Sequence, residues 1–566
     1  MICNVFIVAA SSRCYALEIV ISVTRILVSS AAIAAGLLAQ DKVVLLSNEK
    51  VDLMGIHRIK SEAIENSQVM DHLFYLTDVN GPRLTASPGY DKAAEWVKKR
   101  LESFGVADVK FEKWGGFGRG WAYSKFSAQL VDPTYSPLIG YPNAWTGGTN
   151  GPITAEVVMA TLRTEADLEE WKGKLKGKIV ISDPPREVGL HTLARGRRYD
   201  DAALAAESMA MDPAPSGVFG LPTAALRNLP PGPDGQPMTR ERLVAFRKKY
   251  HQWLVDEGVA GLLMPGYRGE AGTVFAANGG GREEKDPIPP PMISLTIEHY
   301  NRIARLVQKK VPVKVELDVK TEYFNRETYN VVAEIPGTSK KDEVVMVGAH
   351  LDSWHGATGA TDNGAGCAVG IEALRIIKAL NLKTDRTIRL ALWSGEEQGL
   401  FGSAAYVKDH FADRETMATK ADHAKLQAYF NLDNGGGKIR GIYLQSNDML
   451  RPVFDAWLAP FRDYGANTVT IRNTGSTDHV PFNNVGLPAF QFIQDPLEYF
   501  STTHHSNMDV FDYVPKSDMM QASAIMAAFL YQAANREEML PRKPLPKPAK
   551  RREESLSATP TFPTAN

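Results

Sequence analysis

The chain reads as an α/β protein: a doubly wound, mostly parallel sheet interrupted by an inserted β-rich domain. Three observations predict this. From Tyr329 onward, apolar runs of strand length alternate with segments of helical periodicity, as in successive strand–helix–strand units. Val344 to Ala349 is nearly unbroken apolar sequence, as a strand buried on both faces requires. Between about Ser127 and Leu317 the alternation gives way to short apolar runs separated by turn residues.

In chain order, residues 1–40 read as a leader. Arg25 precedes an apolar run, Ile26 to Ala39, that ends in small residues, the layout of a secretory signal peptide. An uncleaved single anchor is the alternative. Residues 41–126 form the first part of the main domain; Ala93, Ala94, Trp96, Val97 and Leu101 have helical spacing, and Gly105 suits the stop. The inserted domain covers 127–317, with strands at Val157–Met159, Lys178–Ile181 and Gly261–Met264 and a long Pro/Gly-rich loop from Pro213 to Pro237. The second part of the main domain covers 318–540. It holds strands at Val331–Ile335, Val344–Ala349, Ile388–Trp393, Leu426–Leu432, Ile442–Leu444 and Leu487–Phe492, and helices at 364–379, 403–410, 450–464 and 519–534. The tail, 541–566, is rich in Pro, Lys and Arg and then in Ser, Thr and Pro, and reads as disordered.

Across 566 residues the formal net charge is -1, which favours neither nucleic acid nor an anionic membrane as partner. No segment after the leader reaches the length of a membrane span, so no stable anchor is expected once the leader is removed. Of three cysteines, Cys3 and Cys14 fall in the leader, leaving Cys367 without a partner and the fold without an internal disulfide.

The chemistry lies at strand ends. Val344–Ala349 runs into His350-Leu351-Asp352, Ile388–Trp393 into Glu396-Glu397, and Leu426–Leu432 into Asp433. In an open parallel sheet, ligands collect beyond the carboxyl ends of strands, so three strands deliver His, Glu and Asp to one edge. Asp362 sits in the loop opening the next helix, and His505 follows the last strand. Singly, each has an ordinary reading: Asp362 as a helix cap, Asp433 as a turn residue, His350 as a hydrogen-bonded structural histidine. Together, two imidazoles and three carboxylates suit zinc and exceed what one catalytic ion needs. They fit two zinc ions sharing a carboxylate. One ion takes His350 and Asp433, the other Glu397 and His505, and Asp362 bridges. Glu396 is then the general base, and Asp352 accepts the second ring N–H of His350.

Gly348-Ala349-His350-Leu351-Asp352-Ser353, Thr361-Asp362-Asn363-Gly364-Ala365-Gly366, Gly395-Glu396-Glu397-Gln398-Gly399-Leu400, Asn431-Leu432-Asp433 and His505-Ser506 resemble the motifs of the M28 family of co-catalytic zinc exopeptidases. The likeness covers about Tyr329 to Phe529 and the helical segment before residue 125. It implies the zinc-exopeptidase fold, two Zn2+ per chain, the ligands named above, Glu396 as base, a cis Asp362–Asn363 bond, a peptide substrate and a homodimer. Region 127–317 resembles the protease-associated domain often inserted in this family, with 200–250 as an extra insertion. Many members carry Tyr before the last histidine ligand as an oxyanion donor; here that position is His504. Thr477-Asp478-His479 resembles the family's Ser/Thr-Asp-His segment near the cleft, which places Asp478 and His479 behind the ligands. The rival readings are a non-catalytic receptor or scaffold on the same fold, and glutaminyl-cyclase-like amide chemistry at the same site. No residue that reads the substrate's terminal charge is legible.

Overall fold

The computed structural model describes residues 49–214, 239–266 and 268–548. The expected leader, most of the expected 213–237 loop and the end of the tail lie outside the described residues. Both sheets and the site lie in the described residues after Lys50.

Strand β1 (Ala107–Lys113) follows the helices α1 (Leu53–Glu65) and α2 (Pro88–Ser103). The start of α2 is fixed by its residues: the Ser87 hydroxyl accepts from the Tyr90 amide at 3.3 Å, and Pro88 occupies the first turn. Gly105, at φ +71°, ends it in the left-handed region. Then come β2 (Gly120–Asp132), β3 (Ser136–Pro137), β4 (Gly140–Pro142), β5 (Ile153–Met159), β6 (Ile179–Ile181), β7 (Gly261–Pro265), β8 (Met292–Leu295) and β9 (Lys314–Phe324). They form one eight-stranded sheet in the order β3-β2-β9-β5-β6-β7-β8-β4. The strands of this sheet span residues 120–324, which include the region 127–317 expected to be an inserted domain. That region is less purely β than its short apolar runs imply. Neighbours from β5 to β8 are parallel, and helices Glu165–Trp171, Arg240–Glu257 and Ile297–Gln308 accompany them. Val180 and Leu262 pack with Leu168 and Leu254 on one face, while Ile179, Ile181 and Leu263 pack with Tyr300 and Ile303 on the other.

The second sheet combines β1 with β10 (Tyr329–Ile335), β11 (Lys340–His350), β12 (Arg386–Trp393), β13 (Leu426–Asn431), β14 (Ile439–Tyr443), β15 (Thr468–Thr470) and β16 (Ala489–Gln494). Its order is β1-β10-β12-β11-β13-β16-β14-β15. The central run β12-β11-β13-β16 is parallel, and the outer pairs β1·β10, β10·β12 and β16·β14 are antiparallel, so the sheet is mixed around a parallel core. It is doubly wound, as expected. Val345, Val347 and Ala349 face one core with α3 (Ala365–Ala379) and α5 (Lys516–Asn535). Met346 faces the other with Tyr406, in α4 (Phe401–His410), and Phe482. A strand covered on both faces has no solvent side to alternate toward, which is why β11 lacks polar residues from Val344 to Ala349.

Residues 541–548 are held against the main domain, not loose as expected from their composition. Arg542 donates to the His423 carbonyl at 2.8 Å, and Lys543 donates to the Gln445 carbonyl and Asn483 at 2.6 and 2.7 Å. Fixed carbonyl partners offset the charge and proline content that otherwise favour disorder. Among the described residues no helix is long and apolar enough to cross a membrane.

Candidate metal centre

The parallel core aligns the carboxyl ends of its strands: His350 pairs in register with Trp393, and Gly348 with Asn431. The polar residues beyond those ends meet. His350 Nε2 lies 3.1 Å from Asp362 Oδ1 and 3.2 Å from Asp433 Oδ1, with Glu396 Oε2 at 4.0 Å. His505 Nε2 lies 3.1 Å from Asp362 Oδ2 and 2.8 Å from Glu397 Oε2. Asp362 thus turns one oxygen toward each imidazole. Asp433 lies beside His350, Glu397 lies beside His505, and Asp362 lies between the two imidazoles.

Local sequence explains the loop that carries Asp362. The Asp362–Asn363 peptide is cis, as the family resemblance implies. Asn363 donates to the Leu432 carbonyl at 2.9 Å and accepts from the Gly366 amide at 3.0 Å, tying the loop to the end of β13. A Cβ on Gly366 would stand 2.1 Å from the Leu432 carbonyl oxygen, so only glycine lets α3 approach this closely.

Burial acts to lower the His350 and His505 imidazoles, but the carboxylates outweigh it. Asp433, Glu396 and Asp362 hold His350 well above its usual value, and Glu397 with Asp362 raises His505 to about 10. Burial pushes Glu397 up to about 7. These are the marks of a buried cluster with excess negative charge, which divalent cations neutralise. Asp362 Oδ2 and Glu397 Oε1 are buried without a hydrogen bond among the described residues. The cavity beside Asp362, Glu397 and His505 measures about 10 Å³, roughly one water-sized centre. Nitrogen and oxygen donors, lone pairs without protons, and an ion-sized space fit the expected metal.

The surrounding residues divide less evenly. The His350 Nδ1–H donates to the backbone carbonyl of Asp352 at 2.9 Å; the Asp352 carboxylate is 3.7 Å away. That corrects the expected carboxylate contact: the tautomer is set by the Asp352 main chain. The carboxylate instead accepts from Thr85 at 2.9 Å and from the amides of Glu396 and Glu397 at 3.4 Å, fixing the turn that presents both glutamates. Asp478 is fully buried, accepts from Ser403 at 2.5 Å, and is raised to about 8 by burial, with Asp433 and Asp352 adding to it. His479 is bound elsewhere, between Gln445 and the Thr474 carbonyl, and does not reach the ligands. His504 stacks on His505 with ring centroids 3.7 Å apart, its Nε2 3.8 Å from Asp362 Oδ2. Cys367 is buried with its thiol 3.1 Å from the His350 carbonyl, a packing position.

Two supports went unread in the sequence. Asp509 accepts from the Thr361 amide and hydroxyl at 2.5 and 2.7 Å and from the Asp362 amide at 3.2 Å. Its position four residues after His505 was the available signal. Arg83, fully buried, donates to the carbonyls of Leu351, Thr358 and Gly359, closing the loop after β11. Nothing local marks it, because its partners are main-chain oxygens, of which only that of Leu76 is near it in the chain.

Residues 330–530 match the model of peptidase family M28. The chain is 26% identical to carboxypeptidase Q of Homo sapiens over 478 residues, 83% of this chain and 86% of that protein. It is 30% identical to aminopeptidase YwaD of Bacillus subtilis over 238 residues, 41% of this chain and 49% of that protein. It superposes on the peptidase M28 precursor from Shewanella amazonensis with a TM-score of 0.57 at 25% identity, covering 87% of this chain and 98% of that one. A zinc aminopeptidase from Bacillus subtilis shares the fold, with a TM-score of 0.50 at 20% identity over 83% of this chain and 95% of that one.

Proposed function

Taking the chain as a peptidase of family M28, we propose that it is a two-zinc exopeptidase that removes a terminal residue from small peptides. The observation that carries this reading is the pair of 3.1 Å approaches from Asp362, one oxygen to His350 and the other to His505. His350, Asp433 and Asp362 would hold one zinc, and His505, Glu397 and Asp362 the other. Bound there, the ions would supply Lewis acidity for the scissile carbonyl and would lower the pKa of the attacking water. Glu396 takes that water's proton and passes it to the departing nitrogen. Burial, then the carboxylates of Asp433, Asp478 and Glu397, raise Glu396 well above an ordinary glutamate, which suits a group that must hold a proton and release it. Asp352 keeps Glu396 and Glu397 in place through their amides. The names carboxypeptidase Q and aminopeptidase among the relatives support action at a chain end. The apolar run after Arg25 supports export through a cleaved leader.

Metal analysis of the purified enzyme is expected to return two equivalents of zinc per chain. A chelator is expected to abolish hydrolysis of a dipeptide panel, and added zinc to restore it. Activity that survives full metal removal overturns the proposal.

A further inference from the structure

A cavity of about 450 Å³ opens between the start of α2, the strands β2 and β9, and the loop after β11. Its size falls in the range of about 300–1,000 Å³ that small-molecule sites occupy. It shares no lining residue with the cavity beside Asp362, Glu397 and His505. Trp121, Tyr123 and Phe324 give it an aromatic wall. Its polar residues are unequally satisfied. His355 is 3% exposed; its Nε2–H is spent on the Pro142 carbonyl at 2.8 Å, and its Nδ1 is buried without a hydrogen bond among the described residues. Trp121 and Tyr123 stand edge-on to that ring, with centroids 5.0 and 6.1 Å away, and fix it. Burial lowers the His355 pKa to about 4, so above that pH the ring is neutral and Nδ1 keeps a lone pair. The Gly89 amide, at the start of α2, makes no hydrogen bond among the described residues. Lys92, in the same helix, is exposed and pairs with no acid among the described residues. Glu322, on β9, meets only the exposed Lys320 among the described residues, at 3.8 Å.

From this geometry we infer that the cavity is a second binding site, separate from the metal centre, for a free α-amino acid with an apolar side chain. The Lys92 ammonium and the Gly89 amide at a helix start receive its carboxylate. The Glu322 carboxylate and the His355 lone pair accept from its ammonium. The aromatic wall covers its side chain. A hydrocarbon leaves the buried Nδ1 without a donor, and an anion without an ammonium meets Glu322 unpaired, so neither matches the whole lining. His355 directly follows Trp354, whose side chain lines the cavity beside Asp362, Glu397 and His505. The occupant therefore sits one residue behind that wall without entering it. The site stands on its own residues; the exopeptidase reading adds only that such an amino acid is a product of the chain's own reaction.

Equilibrium dialysis of the full-length, zinc-loaded protein against L-phenylalanine tests this. It is expected to show a class of binding that Lys92→Gln and Glu322→Gln each weaken about tenfold. L-phenylalaninamide, which lacks the carboxylate, and hydrocinnamate, which lacks the ammonium, are expected to bind that class about tenfold more weakly than L-phenylalanine. Both substituted side chains are exposed and outside the metal cavity, so the melting temperature and zinc content of the variants should match the wild type. Amino acid held at the metal centre is unmoved by either change, which separates the two sites. No binding of L-phenylalanine, binding that neither variant weakens, or equal binding of the three probes overturns the site. Absence of dipeptide hydrolysis by the same preparation overturns the exopeptidase reading alone and leaves the dialysis to decide the site.

Discussion

The amide of Ala276, in the inserted domain, donates to the carbonyl of His505 at 2.6 Å. Around this bond Val274 donates to Asn507 Oδ1 at 2.7 Å, the Asn507 amide returns to the Val274 carbonyl at 3.0 Å, and Phe275 forms a bridge with Ser506. His505 sits at φ +63°, a conformation that costs a side-chain-bearing residue about 1–2 kcal/mol. The inserted segment supplies the bonds that hold it there. The loop that carries His505 thus rests on a segment that contributes none of the proposed ligands.

Asn507→Ala tests that dependence. It leaves the part-buried Val274 amide without its acceptor, a loss of about 1–3 kcal/mol. Zinc affinity at the His505 side is expected to weaken about tenfold or more in a competition titration, while the His350 side is unaffected. Two unchanged affinities would show that the inserted domain does not set the loop.

Glu396→Gln keeps the shape of the side chain and removes its basicity. kcat is expected to fall by about 10²- to 10⁴-fold. Zinc content, measured by elemental analysis, should match the wild type, because Glu396 lies 4.0 Å from His350 Nε2 and outside both ligand triplets. Near-normal turnover in the zinc-loaded variant would remove Glu396 from its role.

Asp509 supports the Asp362 loop from behind. Asp509→Ala strips the acceptor from the Thr361 amide, the Thr361 hydroxyl and the Asp362 amide. Each buried donor left unpaired costs about 1–3 kcal/mol, so urea denaturation should show a clear loss of stability and zinc binding should fall with it. Asp509→Asn retains an acceptor oxygen and is expected to lie between the two.

His355 predicts an acid limit. Its Nε2–H donates to the Pro142 carbonyl at 2.8 Å, and Trp121, Tyr123 and Trp354 surround the ring. Burial lowers its pKa from 6.5 to about 4. Between those values the unfolded chain binds a proton that the folded chain does not, so stability from this group is present above about pH 6.5 and drains away toward pH 4. Thermal unfolding at pH 7, 5 and 4 should show the melting temperature falling. His355→Gln, which cannot titrate, should fall less over the same range. Parallel pH profiles would assign the acid sensitivity to other groups.

Much of the site was legible because its signals are local. His350 and Asp433 close runs whose apolar content marks buried strands, Glu396 and Glu397 follow a third within a few residues, and parallel neighbours put such ends on one edge. Less legible was what each neighbour touches. Asp352 and His479 both lie beside named motif residues, yet one acts through its backbone carbonyl and the other turns to Gln445. Sequence distance fixes adjacency along the chain but not side-chain direction past a strand end.

By itself, then, the sequence determined the parallel core, the order of its strand ends and the residues that gather there, since burial on two faces imposes a composition that can be read directly. Only the tertiary structure decided how the inserted domain closes on the His505 loop. Those contacts join segments more than 200 residues apart. Main-chain pairing such as that of Ala276 with His505 requires no particular side chain, and so leaves no mark in the order of amino acids.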